Sequence, residues 1–212
     1  MDNLQPVQGK SAPLEPPIST ADQSVESASG YKKSPFASFL LELVQTLVLA
    51  VVLYVLIDTV IARVRVENIS MRPTLEPGEF LLVNKMAYKL NAMSRGDIIV
   101  FHYSPTEDYI KRLIGLPGDV VKVTNGKVSV NDFMLDEPYI AAPPAYNGVW
   151  EVPEGAVFVL GDNRNQSSDS HAWGFVTMDK IVGKALAIYW PLKNAHVLSH
   201  PNIVKAAVNE GP

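Results

Sequence analysis

The sequence predicts a mainly β domain behind one transmembrane helix. Two patterns support this prediction. A single long apolar run covers residues 36–61, and from residue 64 onward short apolar or alternating segments are separated by turn-forming residues. The chain has 212 residues, which is enough for one domain, a membrane segment and a tail.

The apolar run is interrupted by Glu42, Gln45 and Asp58. As a helix, it is long enough to cross a hydrocarbon core of about 30 Å. The two acids then lie near opposite ends, where a charge costs less free energy. A buried helix of a soluble domain is the alternative, but leucine, valine and alanine cover every face, unlike an amphipathic helix. We therefore expect a transmembrane helix over residues 35–62.

Both ends of the chain are predicted to be tails. Residues 1–34 are rich in proline, serine and glycine and have few apolar residues to bury, which predicts disorder. A cleaved signal peptide is not expected there, because the apolar run starts far from Met1 and no small-residue cleavage site follows it. Residues 196–212 are predicted to form a short C-terminal tail.

Residues 63–195 are predicted to form the β domain. Asn125-Gly126 lies between two apolar segments and is typical of a two-residue hairpin turn. Residues 77–78, 117–118 and 153–155 combine proline and glycine and mark further turns. The predicted strands cover residues 80–83, 97–101, 109–114, 119–123, 128–133 and 156–160.

The composition excludes several classes of site. The net charge is −4 and no basic block is present, so nucleic acid binding has no electrostatic support. The chain has no cysteine, which excludes disulfides, thiolate catalysis and cysteine zinc sites. His196 and His200 are four residues apart, but Pro201 follows at once and no acidic ligand is near. We expect no metal and no cofactor, and nothing in the sequence indicates an oligomeric state.

Ser70 is the first candidate for chemistry. Pro73 has a fixed φ and biases Arg72 toward extended conformations. Ser70 is therefore expected on a shaped loop or strand end, not inside a helix. A serine hydroxyl is a poor nucleophile until a base removes its proton.

Lys111 is the candidate for that base. Strand alternation puts it on the same face as Tyr109 and Leu113, where it loses contact with water. Desolvation lowers the pKa of an ammonium group and favours the neutral amine, which can accept a proton. The alternative is a solvated charge on an edge strand, and periodicity alone leaves this open.

Four short motifs stand out along the chain. They are S-M-R-P-T-L at 70–75, G-D-I-I-V-F at 96–101, Y-I-K-R at 109–112 and G-D-N-R at 161–164, which continues to Val176. Together they resemble the motifs of type I signal peptidases, the leader peptidase family of membrane-bound serine proteases. The resemblance covers about residues 36–192, and the motifs occur in the family's order and spacing.

The resemblance implies a fold and an activity. It implies an antiparallel β catalytic domain that removes signal peptides from exported preproteins after small residues, at sites of the Ala-x-Ala type. Ser70 would be the nucleophile and Lys111 the general base. Family members often carry a second, inserted β region, but residues 119–157 leave little room for one. The expected partners are signal peptides and the lipid bilayer.

The resemblance also sets the expected orientation in the membrane. Basic residues flank both ends of the predicted helix, so the positive-inside rule hardly favours one orientation over the other. The family places a short N-terminal side in the cytoplasm and the catalytic domain across the cytoplasmic membrane.

Supporting residues follow from the same resemblance. Ser167 matches a serine that orients the lysine, although a loop serine bonded to backbone is the alternative. Arg112 and Asp162 match a structural pair. Asp169 matches an acidic residue near the site whose usual partner is an arginine two residues later. Here that position is His171, whose charge depends on pH.

Oxyanion and substrate contacts are expected beside Ser70. The main-chain N–H of Ser70 is one donor. Asn68 occupies the position of a hydroxyl donor, and its amide can donate as well. Four apolar residues match positions that line shallow substrate pockets in the family. The alternative interpretation is that they pack in an ordinary hydrophobic core. They are Val66, Met71, Leu75 and Ile110.

Other functions remain open at this point. The nearest enzymatic alternative is another serine–lysine protease, such as a self-cleaving repressor, but the apolar run and the lack of a DNA-binding region weigh against it. A catalytically inactive, membrane-tethered β module that binds partners is the alternative from another class. Triads with His102 or His171 as base can be drawn, yet no G-x-S-x-G surrounds Ser70.

Overall fold

The fold was analysed in a computed structural model that describes residues 35–201 and residue 203. The predicted N-terminal tail, residues 1–34, lies outside the described residues. So do residue 202 and residues 204–212 of the predicted C-terminal tail.

Among the described residues, one long apolar helix, α1, spans Pro35–Val60. Within it, Ser38–Val60 is long and apolar enough to cross a membrane, and its apolar window is not buried in the structure. At a rise of 1.5 Å per residue, these residues extend about 35 Å, more than a hydrocarbon core of about 30 Å. The predicted helix is confirmed, and it ends within two residues of the expected boundary.

The first β-strand follows α1 without a linker. Strand β1 covers Ile61–Arg65, directly after Val60. The backbone N–H of Lys85 donates to the Val60 carbonyl (2.9 Å), and Lys85 Nζ donates to the Asp58 carbonyl (2.6 Å). Lys85 therefore caps the carbonyl end of the helix, where a positive charge is favoured.

The remaining described elements are short strands, two single-turn α-helices, and two 3-10 turns at Met178–Lys180 and Leu192–Asn194. The helices are α2 (Ala87–Leu90) and α3 (Ser170–Trp173). The strands are β2 (Phe80–Asn84), β3 (Ile98–Ser104), β4 (Glu107–Gly115), β5 (Val120–Thr124), β6 (Lys127–Val130), β7 (Phe133–Met134), β8 (Gly148–Glu151), β9 (Ala156–Leu160), β10 (Val176–Thr177), β11 (Ile181–Trp190) and β12 (His196–Val197).

The described strands form two antiparallel sheets. The larger has eight strands in the order β1-β2-β11-β3-β4-β9-β10, and β12 pairs with β11. Every pair in it is antiparallel, as the fold prediction required. The mainly β prediction is therefore confirmed.

The second sheet corrects one expectation. Residues 119–157 were expected to leave little room for an inserted β region, yet β5 to β8 form a four-stranded sheet there in the order β7-β6-β5-β8. It fits because its strands have only two to five residues and its turns are tight. Asn125 and Gly126 both have positive φ (52° and 74°), which is the two-residue hairpin turn predicted from their identity.

Strand β11 is the longest strand and had no clear sequence signal. It pairs with β2 and β3 and so lies inside the main sheet. Gly183, Lys184 and its alanines blur the alternation that marks a strand. Gly183 is needed for packing, since a Cβ there would lie 2.2 Å from the Asn84 carbonyl oxygen.

The described residues after 195 pack against the domain. Strand β12 adds to β11, Leu198 is buried, and Ile203 is fully buried in the core beneath the second sheet. These contacts add the last described residues to the same β unit.

Candidate active site

A cavity of about 800 Å³ opens between two parts of the main sheet. Residues 63–71, which include the end of β1 and the loop after it, form one wall. His102 and residues 105–111, from the β3–β4 hairpin, form the opposite wall, and Gln166 and Ser168 close it at one side.

Ser70 and Lys111 meet in this cavity. Lys111 Nζ donates a hydrogen bond to Ser70 Oγ at 2.8 Å, across 41 residues of sequence. Ser70 begins a turn after β1, outside any helix or strand, as predicted. Lys111 projects from the middle of β4 and is only 4% exposed. The solvated edge-strand alternative for Lys111 is therefore wrong.

Burial changes the acidity of Lys111. Desolvation lowers the pKa of its ammonium to about 8, because the charged form is disfavoured away from water. The Asp169 and Asp162 carboxylates act in the opposite direction and keep the pKa from falling further. A substantial fraction of the amine is therefore neutral near pH 8.

The loop at 161–164 fixes the backbone beside Ser70. The Asn163 N–H donates to the Ser70 carbonyl (3.0 Å), and Asn163 Nδ2 donates to the Ile69 carbonyl (3.2 Å). Gly161 allows the close approach, because a Cβ there would lie 2.2 Å from Ser167 Oγ and 2.5 Å from the Ser70 carbonyl oxygen. Gly161 and Asn163 thus set the position of the hydroxyl.

A buried ion pair joins this loop to β4. Arg112 and Asp162 form a two-pronged contact of 2.8 and 2.6 Å, with side chains 1% and 0% exposed. Arg112 also donates to the Gly96 carbonyl, and Thr74 Oγ1 donates to Asp162. The guanidinium lies 3.9 Å from the centre of the Tyr139 ring. Since Arg112 follows Lys111, the pair also holds the lysine backbone.

Asp169 and His171 are paired despite the departure from the usual arginine. His171 Nδ1 and Asp169 Oδ1 are 2.6 Å apart, and Asp169 Oδ2 accepts from the Gly161 N–H at 2.8 Å. Asp169 is fully buried, and the His171 ring stacks on Tyr146 with centroids 4.0 Å apart. Tyr146 lies in a proline-rich connection and had no sequence signal for this contact.

Two other predicted support residues lie near the site but make no hydrogen bond to Ser70 or Lys111. Ser167 Oγ is buried and has no hydrogen-bond partner within residues 35–201 and 203. Asn68 is exposed on the cavity wall, two residues before Ser70. The predicted roles of both residues remain predictions.

The four apolar candidates divide into two groups. Val66, Met71 and Ile110 line the cavity and are also buried in the core below it. Leu75 is fully buried in the same core and does not line the cavity. It follows Ser70 by five residues, and its N–H bonds to the Met71 carbonyl (2.9 Å), which turns it inward.

The histidines have other partners. His102 Nδ1 lies 2.6 Å from Asp108 Oδ1 on the exposed rim of the cavity, and His171 bonds Asp169. Ser70 Oγ is bonded by Lys111. Within the described ranges, no three histidine, aspartate or glutamate side chains are grouped so as to hold a metal ion.

The sequence matches one family model and is similar to proteins of that family. The family model for signal peptidase, peptidase S26, matches residues 40–190. A probable signal peptidase I-2 of Synechocystis sp. is 45% identical over 186 residues, 82% of this chain and 84% of the relative. A signal peptidase I of Leptolyngbya laminosa is 44% identical over 173 residues, 76% of this chain and 85% of the relative.

A solved structure is also similar. The crystal structure of a signal peptidase I from Enterococcus faecalis V583 is 34% identical, with a TM-score of 0.41, and the match covers 44% of this chain and 97% of that one.

The matched region includes the Ser70–Lys111 contact and the whole loop that supports it. It spans more than two thirds of the 212 residues. This chain belongs to the signal peptidase I family, peptidase S26, whose members are serine peptidases that remove signal peptides.

Proposed function

We propose that Ser70 and Lys111 form a catalytic dyad that cuts signal peptides from exported preproteins at Ala-x-Ala sites. The observation that carries this proposal is the 2.8 Å contact between Lys111 Nζ and Ser70 Oγ inside the cavity. A buried lysine with a lowered pKa is suited to act as a base, and no histidine is required.

The proposed reaction has two halves. The neutral amine of Lys111 takes the Ser70 proton as Oγ attacks the carbonyl carbon of the scissile bond. The ammonium then gives this proton to the leaving nitrogen, which frees the mature protein and leaves the signal peptide as an ester on Ser70. In the second half, Lys111 takes a proton from water as the hydroxide attacks the ester carbonyl carbon. The ammonium then returns this proton to the leaving Ser70 Oγ, which frees the signal peptide as a carboxylate and restores the serine hydroxyl and the neutral amine.

Two donors are available for the oxyanion. The Ser70 N–H makes no hydrogen bond within the described residues, so it is free to donate. Asn68 lies on the same wall and supplies an amide N–H as the proposed second donor. Losing one such donor typically costs about 10²–10³ in rate.

Open strand edges favour an extended substrate. Strand β1 lies at the edge of the main sheet, and β9 pairs only with the Arg112–Gly115 part of β4. Residues 107–111 of β4 therefore have a free edge on the cavity side, opposite β1. An extended peptide can hydrogen-bond to such edges. Shallow contacts with Val66, Met71 and Ile110 would then select small residues.

The supporting residues complete the proposed site. Asp169 supplies a buried negative charge near Lys111. A buried hydroxyl without a partner is costly, which supports Ser167 as a hydrogen-bond partner for the Lys111 ammonium.

The helix α1 and the family membership support a proposed location. We place α1 across the cytoplasmic membrane once, with the short N-terminal side in the cytoplasm and the β domain on the other side. Signal peptides are themselves apolar and held in the same bilayer, so anchoring raises the local concentration of enzyme near its substrate.

Ser70→Ala tests the proposal most directly. The full chain in detergent should cut a preprotein that carries an Ala-x-Ala site, with the new N-terminus read by mass spectrometry. Ser70→Ala should reduce cleavage to background. Ser129→Ala, a partly exposed serine on β6, is the matched control and should cut normally. No cleavage by well-folded wild type would favour the partner-binding module instead.

The pH dependence tests the base. Because the neutral amine is the active form, the rate should rise about tenfold per pH unit below pH 8 and level off above it. At pH 6, about 1% of Lys111 is neutral for a pKa of about 8. A plot of kcat/KM against pH for the wild type checks this. A rate that stays flat from pH 6 to 9 would contradict a lysine base.

A further inference from the structure

We propose that His171 is a positioning residue for the dyad: it holds the Asp169 carboxylate in place beside Lys111 as a donor without permanent charge, and Tyr146 fixes its ring. The inference deepens the proposed function and rests on it, because the effect is transmitted through Lys111. It concerns residues that do not touch the substrate.

Asp169 depends on very few donors. Its side chain is fully buried, and a buried carboxylate is costly unless hydrogen bonds satisfy it. Oδ2 accepts from the Gly161 N–H (2.8 Å), while Oδ1 accepts from the His171 N–H (3.3 Å) and lies 2.6 Å from His171 Nδ1. Of these contacts, the one with His171 Nδ1 is the shortest and the only one with a side chain.

The His171 ring is held from its other side. It stacks on Tyr146 at 4.0 Å and 9°, so the two rings are nearly parallel. The Tyr146 connection is in turn tied down, because the Ala145 N–H donates to Asn165 Oδ1 (2.8 Å) and Asn165 Nδ2 donates to the Pro143 carbonyl (3.0 Å). The stack therefore fixes the plane of the ring, and the 2.6 Å contact with Asp169 Oδ1 directs Nδ1 toward that carboxylate.

The two carboxylates that act on Lys111 differ in their partners. Both raise its pKa, against the effect of burial. Asp162 is paired with the guanidinium of Arg112, a permanent cation. Asp169 is paired with the imidazole of His171, which is not a permanent cation. Asp169 therefore exerts more of its negative charge on Lys111 than an arginine partner would allow.

Other charged groups around Asp169, His171 and Tyr146 are already paired. Glu137 and Arg164, which face Tyr146, bind each other at 2.6 Å. Burial, followed by the Asp169 charge, raises the pKa of the Tyr146 phenol, which keeps it neutral. The Tyr109 ring lies 5.1 Å from Lys111 Nζ and carries no charge there. The residue at position 171 therefore determines how strongly Asp169 raises the pKa of Lys111.

Three substitutions of His171 distinguish the effect of its hydrogen-bond donor from the effect of its charge. His171→Arg keeps a donor and adds a permanent positive charge, so the rising limb of the rate against pH should move down by about half a pH unit or more. His171→Asn keeps an amide donor near the position of Nδ1 and should retain most of the rate and an unshifted limb. His171→Leu removes the donor and should lower kcat about tenfold with KM unchanged, since the groups that bind substrate are untouched.

The assay is preprotein cleavage by the full chain in detergent, from pH 6 to 10, with circular dichroism to check folding. An unshifted limb in His171→Arg, or a wild-type kcat in a well-folded His171→Leu, would overturn the inference. If His171→Leu does not fold, the comparison of arginine with asparagine still decides, since both keep a donor and differ in charge. A wild type without a limb near pH 8 would instead refute the lysine base itself.

Discussion

Replacing Lys111 by arginine is expected to lower kcat for preprotein cleavage by about 10⁴-fold, close to the loss seen when a member of a catalytic triad is disabled. Arginine keeps the positive charge and much of the length of lysine. Its guanidinium stays protonated in proteins, so it cannot accept the Ser70 proton. Single-turnover cleavage by the purified full chain at pH 8 measures the loss.

This substitution distinguishes a base from a structural cation. If Lys111 served only to hold Ser70 through its 2.8 Å bond, arginine would preserve much of the rate. Lys122→Arg, at an exposed position on β5, is the matched control and should cut like wild type. Substantial activity of Lys111→Arg would refute the dyad while leaving the family membership intact.

Asp162→Asn is expected to give the largest loss of stability, about 3–5 kcal/mol in the free energy of unfolding. The substitution keeps the shape of the side chain but leaves the buried Arg112 charge without its counter-ion. Water cannot compensate, since Arg112 is only 1% exposed. Urea unfolding of the full chain in detergent, followed by tryptophan fluorescence, measures the change.

An exposed pair provides the control. Arg72 and Glu76 are 2.7 Å apart, about as close as the buried pair, but their side chains are 48% and 47% exposed. Glu76→Gln should therefore change the free energy of unfolding by less than about 1 kcal/mol. Equal losses in the two variants would show that burial does not set the strength of the Arg112–Asp162 contact.

Local patterns predicted much of the fold because they act over a few residues. The apolar run predicted α1 to within two residues, and Asn125-Gly126 predicted the β5–β6 hairpin. Strand β11 was missed because its pairing with β2 and β3 compensates for a poor pattern. The second sheet was underestimated because sequence length does not reveal how tightly turns can close.

The site was predictable in part. The motifs identified Ser70 and Lys111. Strand alternation placed Lys111 beside Tyr109, but it did not distinguish a buried face, because β4 is buried on both faces from Ile110 onward. Packing across the chain was not predictable in the same way. Leu75 matched a pocket position but is turned into the core, and the Tyr146–His171 stack joins two loops that no local pattern connects.

The direct join between α1 and β1 has a consequence for how substrates are selected. The helix ends at Val60 and the strand begins at Ile61. Lys85 donates hydrogen bonds to two carbonyls at this junction, those of Asp58 and Val60. With α1 across the bilayer as proposed, strand β1 begins at the membrane surface. Ser70 comes ten residues after Val60 and reaches at most about 35 Å from it. On this proposal, the site would reach only those preprotein bonds that lie within this distance of the membrane surface.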